Sequence, residues 1–166
     1  MVTTEDVKRL RGETGAGVMD AKRALEKADG DFDAARELLR ESGIAAAAKR
    51  SDRETGQGLV ESYIHGEGRI GALVEINCET DFVARTEGFR QLAKDVAMQV
   101  AAMAPAALTP EEVPADAPGA AKDNALLTQA FIKDNSRTIG DLVQETMAQT
   151  GENVRISRFS RFELGS

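Results

Sequence analysis

Few side chains in this sequence are of the kinds that carry out chemistry. There is one histidine, His65, and one cysteine, Cys78, which is followed closely by two acids, Glu79 and Asp81. Histidine can serve as a general base and cysteine as a nucleophile, but each needs an activating partner, and no second histidine is present. One His and one Cys also fall short of a structural zinc set, and the two acids are better explained as a solvated corner than as a cation site. The residues predict no catalytic or metal site and no cofactor.

Phosphate-binding and hydrolase motifs are also missing from the sequence. It contains no G-x-x-x-x-G-K-[ST] loop, no G-x-G-x-x-G after a strand and no G-x-S-x-G elbow. Three glycines, Gly12, Gly15 and Gly17, precede a predicted helix, but without the lysine and hydroxyl of a phosphate loop they are interpreted as turn residues. We therefore expect a protein that is not an enzyme and binds no nucleotide itself.

Composition narrows the choice of partner. The 166 residues carry 28 acids against 21 basic residues, a formal net charge of −7, and 42% of them are hydrophobic. Nucleic-acid binding needs a basic surface, so a protein partner is expected and direct nucleic-acid binding is not. No run of about 18 apolar residues is present, and the N-terminus lacks the pattern of a secretory signal. We expect a cytoplasmic protein without a membrane segment.

The stretch from Ile70 to Met103 organises the rest of the chain. Alternating apolar residues from Ile70 to Ile76 predict a half-buried strand, and the apolar spacing from Phe89 to Met103 predicts one face of a helix. A polar corner lies between them, where Thr80 or Asp81 can cap a short helical turn. Spacing alone leaves two interpretations of Phe82: it folds back onto the core, or it projects outward as an anchor for a partner.

Capping and punctuation signals predict a small helical module over residues 1–43. Thr3 with Asp6 forms a capping signature, Gly30 ends a second helix, and Asp31 can cap a third. The alanine-rich and then charged tract 44–55 has no sustained apolar period; it could be helical, but it is interpreted as a linker. A second domain then covers residues 56–166.

The second domain is predicted to be α+β. Two strand-like runs, 59–65 and 69–77, are joined by a three-residue turn, a helix begins after Thr138, and a third strand covers 153–164. All four prolines fall within 104–121, which is predicted to be a surface loop. The expected core is a small three-stranded antiparallel sheet with helices packed on one face.

Three motifs resemble one known family. They are T-G-A-G-V-M-D-A-K at 14–22, E-T-D-F-V at 79–83 and R-F-S-R-F-E-L-G at 158–165, in the family's order and spanning nearly the whole chain. Together they resemble the elongation factor Ts family. That resemblance implies a guanine-nucleotide exchange factor for elongation factor Tu, with a ubiquitin-associated-like three-helix domain followed by an α+β core.

The resemblance also implies which residues bind the partner. Thr80, Asp81, Phe82 and Val83 match the family motif that dislodges Mg²⁺ from elongation factor Tu, with Phe82 as the wedge and Asp81 in support. Val18, Met19 and Lys22 match the part of the first domain that touches the same partner domain. The resemblance therefore favours an outward Phe82 over a buried one.

Two further expectations concern assembly and an alternative function. The tract 104–121 is too short for the helical hairpin of longer family members, and one core half is visible instead of two. A three-stranded sheet has two open edges, and in short family members two copies of the core replace the two halves, so we expect a homodimer held without a disulfide. The alternative is a non-exchanging adaptor built from a ubiquitin-associated-like module and a dimerising domain.

Overall fold

Three helices begin the computed structural model, which describes residues 2–166. They are α1 (Thr4–Thr14), α2 (Val18–Lys27) and α3 (Phe32–Arg50). Thr3 caps α1 through the expected capping box with Asp6, and the Asp31 carboxylate caps α3 by accepting from the N–H groups of the next turn. Their shared core centres on Leu10, Ala21, Leu25 and Ala35, all fully buried. The first and third helices of the module therefore begin where the capping signals predicted.

Helix α3 continues into the tract that we expected to be a linker. The helix includes four consecutive alanines, residues 45–48, and ends at Arg50. Alanine has the highest helix propensity, so this segment stays helical without the apolar period that we looked for. Ala47 is buried, and the Arg50 guanidinium donates to the Met147 carbonyl oxygen at 3.2 Å. An alanine-rich stretch without amphipathic spacing was thus a poor indicator of a flexible connection.

A three-stranded antiparallel sheet forms the centre of the second half of the chain. Strand β1 (Gln57–His65) pairs with β2 (Ile70–Cys78), which pairs in turn with β5 (Val154–Glu163), in the order β1-β2-β5. The turn between β1 and β2 has left-handed backbone at Gly66, Glu67 and Gly68. The predicted strands and their turn are present, and the α+β class is confirmed.

Helices cover one face of this sheet. The helix α4 (Asp81–Ala84) follows β2, and the long helix α5 (Glu87–Met103) packs against β1 and β2. On β2 the inward residues alternate, and all four are buried: Ala72, Val74, Ile76 and Cys78. On α5 the buried residues include Phe89, Leu92, Val96 and Val100, at the predicted spacing. The core of the domain therefore lies between α5 and the inner face of the sheet.

The proline-rich tract is more ordered than the loop that we predicted. A short 3-10 helix covers Pro110–Glu112, Pro105 is buried, and α6 (Ala121–Asn124) follows. Two further short strands, β3 (Ala130–Phe131) and β4 (Asp134–Thr138), form a ladder that the sequence did not indicate. The side chain of Gln99, fully buried in α5, fixes this region by donating to the Ala130 carbonyl at 3.0 Å and accepting from the Ile132 N–H at 3.0 Å.

The last helix, α7 (Ile139–Thr150), begins at the predicted capping box of Thr138 and Asp141. The chain forms two compact units: residues up to Arg53 with Gln144–Asn153, and Glu54–Val143 with Val154–Ser166. Within the first unit the buried amide of Asn153 donates to the carbonyl oxygens of Ser51 and Arg53. Among residues 2–166, no helix is both long and apolar enough to cross a membrane.

Candidate partner-binding site

The corner between β2 and α5 exposes a phenylalanine. Phe82 is 79% exposed, whereas Cys78, four residues earlier at the end of β2, is fully buried. An exposed aromatic ring gains little of the 1.5–3 kcal/mol that burial of a large apolar side chain typically supplies. The interpretation of Phe82 as a core residue, which spacing alone allowed, is therefore wrong. The side chain instead projects from α4 and is available to a partner.

Helix α4 forms because its ends are capped. Of the two candidate caps, Thr80 occupies the position: its hydroxyl oxygen accepts from the Val83 N–H at 3.4 Å, and its carbonyl accepts from the Ala84 N–H at 3.3 Å. Asp81 is the first helical residue and forms an exposed ion pair with Arg85 at 2.9 Å. Thr80, Asp81, Phe82 and Val83 are thus brought together in one capped turn, which we call the tip.

A polar cluster holds the sheet together immediately before the tip. The side-chain amide of Asn77 donates to the Gln57 carbonyl at 3.2 Å and to the Glu75 carboxylate at 3.3 Å, and its oxygen accepts from the Ser157 hydroxyl. Asn77 therefore connects all three strands at the end of the sheet that carries the tip. Sequence reasoning missed this role, since a single asparagine at a strand end carries no distinguishing pattern.

Arg158 extends the same polar face of the sheet. Its guanidinium Nε donates to Glu75 Oε2 at 2.6 Å, and the two residues are paired across β2 and β5. This hydrogen bond, together with the weaker one from Asn77, lowers the pKa of Glu75 below its ordinary value of 4.5. At neutral pH the carboxylate therefore stays charged and continues to accept both bonds.

The other predicted partner-binding residues lie at the start of α2 in the first unit. Val18 is 52% exposed and Met19 is 61% exposed, and Gly17 precedes them at the N-cap. Lys22 lies one turn further along and pairs with Glu26 at 3.7 Å. Two exposed apolar side chains beside a lysine form a small surface suited to contact with a protein.

The two remaining candidates for chemistry, His65 and Cys78, contact near neighbours in the chain. The His65 ring stacks on Tyr63 on β1, with 3.0 Å between Nδ1 and the phenol oxygen. Cys78 is buried, and its thiol donates to the Thr80 carbonyl at 3.1 Å. Within residues 2–166 no group of three or more His, Cys, Asp or Glu side chains could hold a metal. The exposed features are those of a binding surface.

A second exposed apolar surface lies on the sheet face opposite α5. We call it the outer sheet surface, and it comprises Val60, Ile64, Leu73, Phe162 and Leu164, all exposed. Strand pairing places Ile64, Gly71 and Phe162 side by side across the three strands. Several of these side chains line a shallow groove. Clustered apolar side chains of this kind mark an interaction site more often than scattered ones do.

Comparison with known proteins gives a consistent result. Residues 33–120 match the family model described as elongation factor TS. The chain is 46% identical to an elongation factor Ts of Rubrobacter xylanophilus, over 96% of this chain and 97% of that protein. It is 47% identical to that of Carboxydothermus hydrogenoformans, over 99% and 90% of the two chains, and 44% identical to that of Fervidobacterium nodosum, over 99% and 98%.

Proposed function

The chain belongs to the elongation factor Ts family, and from this premise we propose that it is the guanine-nucleotide exchange factor for elongation factor Tu in translation elongation. It releases GDP by disturbing the Mg²⁺ and phosphate site of that partner. The observation that carries the proposal is the exposure of Phe82 on a capped tip. A large aromatic ring that contributes little to its own fold is suited to a pocket on another protein.

The tip acts on the partner by wedging. Phe82 enters the nucleotide domain of the partner near its metal and phosphate loops. Asp81 supports the contact with its charge; because its ion pair with Arg85 is exposed and weak, the carboxylate can interact with the partner. Thr80 and Val83 complete the contact surface. Mg²⁺ needs near-ideal octahedral geometry, so displacing its ligands weakens nucleotide binding. By linkage, nucleotide must weaken binding of this protein by the same factor.

Exchange of this kind requires no chemical reaction. Because the protein changes only the affinity of its partner for a nucleotide, it needs neither a general base nor a nucleophile, and it is not an enzyme in that sense. Translation takes place in the cytoplasm of bacteria, which is where we place the protein.

The first unit supplies a second contact. Helices α1 to α3 form a ubiquitin-associated-like domain, and its surface residues Val18, Met19 and Lys22 bind the same partner domain. Support comes from the exposure of both apolar side chains at the start of α2. We propose that residues 1–43 and 56–166 are two domains that can be separated. The structural unit that contains the three helices extends to Arg53 and includes Gln144–Asn153, so a fragment that begins at residue 56 should keep its sheet and lose packing at the end of α7.

Two copies associate through the outer sheet surface. An isolated sheet with one uncovered apolar face leaves Leu73 and Phe162 in water, and a second copy of the same face would cover them. Cys78 is the only cysteine and is buried, so the dimer is held by packing and survives reductant. The adaptor alternative is not favoured, since family membership points to the exchange factor instead.

Release of a fluorescent GDP analogue from purified elongation factor Tu tests the function. We expect the protein to accelerate release in proportion to its concentration until it saturates. Bovine serum albumin at equal concentration controls for nonspecific effects. An unchanged release rate at saturating protein would contradict the exchange function. A pull-down that captures no elongation factor Tu would favour the adaptor.

A further inference from the structure

We propose that Thr86, a residue outside the tip and its motif, is a positioning residue that fixes the direction in which Phe82 points. The inference rests on the proposed function and adds to it a residue outside the family motif. Thr86 lies between the end of α4 and the start of α5. It connects the C-terminal end of the exposed tip to the buried core, as Cys78 does at the other end through its thiol and the Thr80 carbonyl.

The side chain of Thr86 makes two hydrogen bonds in opposite directions. Its hydroxyl donates to the Val83 carbonyl at 2.7 Å and accepts from the Phe89 N–H at 3.3 Å. The backbone N–H of Thr86 also donates to the Val83 carbonyl, at 3.0 Å. One threonine thus closes the C-terminal end of α4 and caps the N-terminus of α5. A hydroxyl is needed because only a group that both donates and accepts can serve both ends.

The tip belongs to a very short helix, which contacts β1, β2 and α5. Helix α4 has four residues, and a helix so short does not form without help because nucleation is unfavourable. Ala84 is its only buried residue, and an alanine buries little area. The ion pair between Asp81 and Arg85 is exposed, so it adds little. The hydroxyl groups at the two ends of the tip therefore help to fix the direction of Phe82.

Thr86 connects the tip to a buried part of the domain core. Phe89, whose N–H it accepts, is fully buried at the start of α5. At the other end, Thr80 accepts from the Val83 N–H at 3.4 Å, which is a longer contact. Loss of the Thr86 hydroxyl would leave the fold intact but let the tip populate other conformations. The binding-competent fraction would fall, and the apparent affinity for the partner falls by the same factor.

Loss of the Thr86 hydroxyl should raise the half-saturating concentration and leave the maximal rate of GDP release nearly unchanged. Once the partner is bound, contacts of Phe82 keep the tip in place, so the maximal rate of GDP release should stay within about twofold of the wild type. The concentration of exchange factor needed for half the maximal rate should rise about three- to tenfold in Thr86→Val, in line with the usual effect of losing a helix cap. Thr86→Ser keeps the hydroxyl and should restore the wild-type value.

A matched cap elsewhere separates positioning from stability. Thr138 accepts from the Asp141 N–H at 3.1 Å at the start of α7, so Thr138→Val removes an equivalent cap away from the tip. Both valine variants should lower the melting temperature, and only Thr86→Val should raise the half-saturating concentration. The proposal would be overturned if the half-saturating concentration rose equally in both variants, or if it did not rise in Thr86→Val.

Labelling with fluorinated phenylalanine gives a readout without the partner. The chain has six phenylalanines, and Phe82→Leu identifies the resonance of Phe82. That resonance should shift or broaden in Thr86→Val and not in Thr138→Val or Thr86→Ser; an unchanged resonance would overturn the proposal. Failure of the proposed function is recognised differently, because then wild-type protein and Phe82→Ala would act alike on GDP release.

Discussion

Phe82 and Phe89 are seven residues apart and lie at opposite extremes of exposure, 79% for the first and 0% for the second. Thr86 lies between them and bonds to the backbone of Val83 on one side and of Phe89 on the other. One aromatic ring therefore belongs to the surface and the other to the core, although the two residues are close in the sequence. This difference in exposure predicts that truncating the two rings has different effects on stability.

Phe89→Ala should destabilise the protein, and Phe82→Ala should not. Truncating a fully buried phenylalanine usually costs about 3–5 kcal/mol of unfolding free energy, whereas surface substitutions usually stay within about 0.5 kcal/mol. Urea unfolding followed by far-UV circular dichroism measures both. A loss above about 1 kcal/mol for Phe82→Ala would mean that the ring packs against its own chain.

Gly58→Ala should disrupt the end of the sheet next to the tip. Gly58 has φ +145°, and an added Cβ would lie 2.1 Å from the Ile76 carbonyl oxygen and 2.7 Å from Asn77 Cα. Backbone on β2 cannot move aside without breaking the strand pairing, so we expect a loss of about 2 kcal/mol or more. Gly43→Ala, in the interior of α3 with open space around the added carbon, should be neutral or stabilising. Similar melting temperatures for the two variants would contradict this account.

The Glu75 and Arg158 pair should make stability depend on pH in a defined direction. The pKa of Glu75 is lowered in the folded protein, first by the hydrogen bond from Arg158. Its stabilising effect is therefore complete above the unfolded-state pKa and is lost as the pH falls through the lower folded-state pKa. The melting temperature of Glu75→Gln should be below that of the wild type at neutral pH, and the difference should shrink as the pH falls below 4.5.

Two controls belong to that measurement. Added salt should reduce the difference at neutral pH, since the pair is partly exposed. Arg158→Gln should remove most of the same pH dependence and leave the smaller part that comes from Asn77, and the double variant should add little to Glu75→Gln. A difference between wild type and Glu75→Gln that stays constant from neutral pH to well below 4.5 would show that the pair does not act through charge.

Phe162→Glu should convert the proposed dimer into a monomer. Phe162 is exposed on the outer sheet surface, and a carboxylate there would have to be buried against the second copy. Sedimentation velocity over a dilution series, with and without reductant, measures the change. Phe82→Ala, an exposed aromatic away from that surface, is the control and should remain dimeric. A wild-type monomer at tens of micromolar would contradict the dimer, and loss of the dimer on reduction would implicate Cys78.

Local signals in the sequence predicted much of the fold. The capping boxes at Thr3 and Thr138 are present, and the alternation from Ile70 to Ile76 gave both the strand and its buried face. These features depend on interactions between residues that are close in the sequence, so a short segment is enough to predict them. The continuation of α3 and the ladder of β3 and β4 were missed. The first depends on alanine propensity and on the contact of Arg50 with the Met147 carbonyl, and the second on contacts of Gln99 with residues about thirty positions away.

The site was predicted less completely than the fold. Spacing could not decide whether Phe82 is buried, because an aromatic residue at a corner satisfies either pattern, and the family motif favoured the exposed state that the structure has. Asn77 and Thr86 could not have been selected from the sequence. Asn77 is important because it accepts a hydrogen bond from Ser157, which is distant in the sequence. Thr86 is important because its hydroxyl bonds to the backbone of both flanking helices.

The most direct test of the central claim compares GDP release from elongation factor Tu with wild-type protein and with Phe82→Ala. An aromatic anchor is commonly worth about 2–4 kcal/mol, so we expect release to be roughly 30- to 1000-fold less efficient with the variant. Ile132→Ala removes another exposed apolar side chain, one whose backbone bonds to α5, and should match the wild type. The claim would be contradicted if a folded Phe82→Ala variant accelerated GDP release from elongation factor Tu as much as the wild type does.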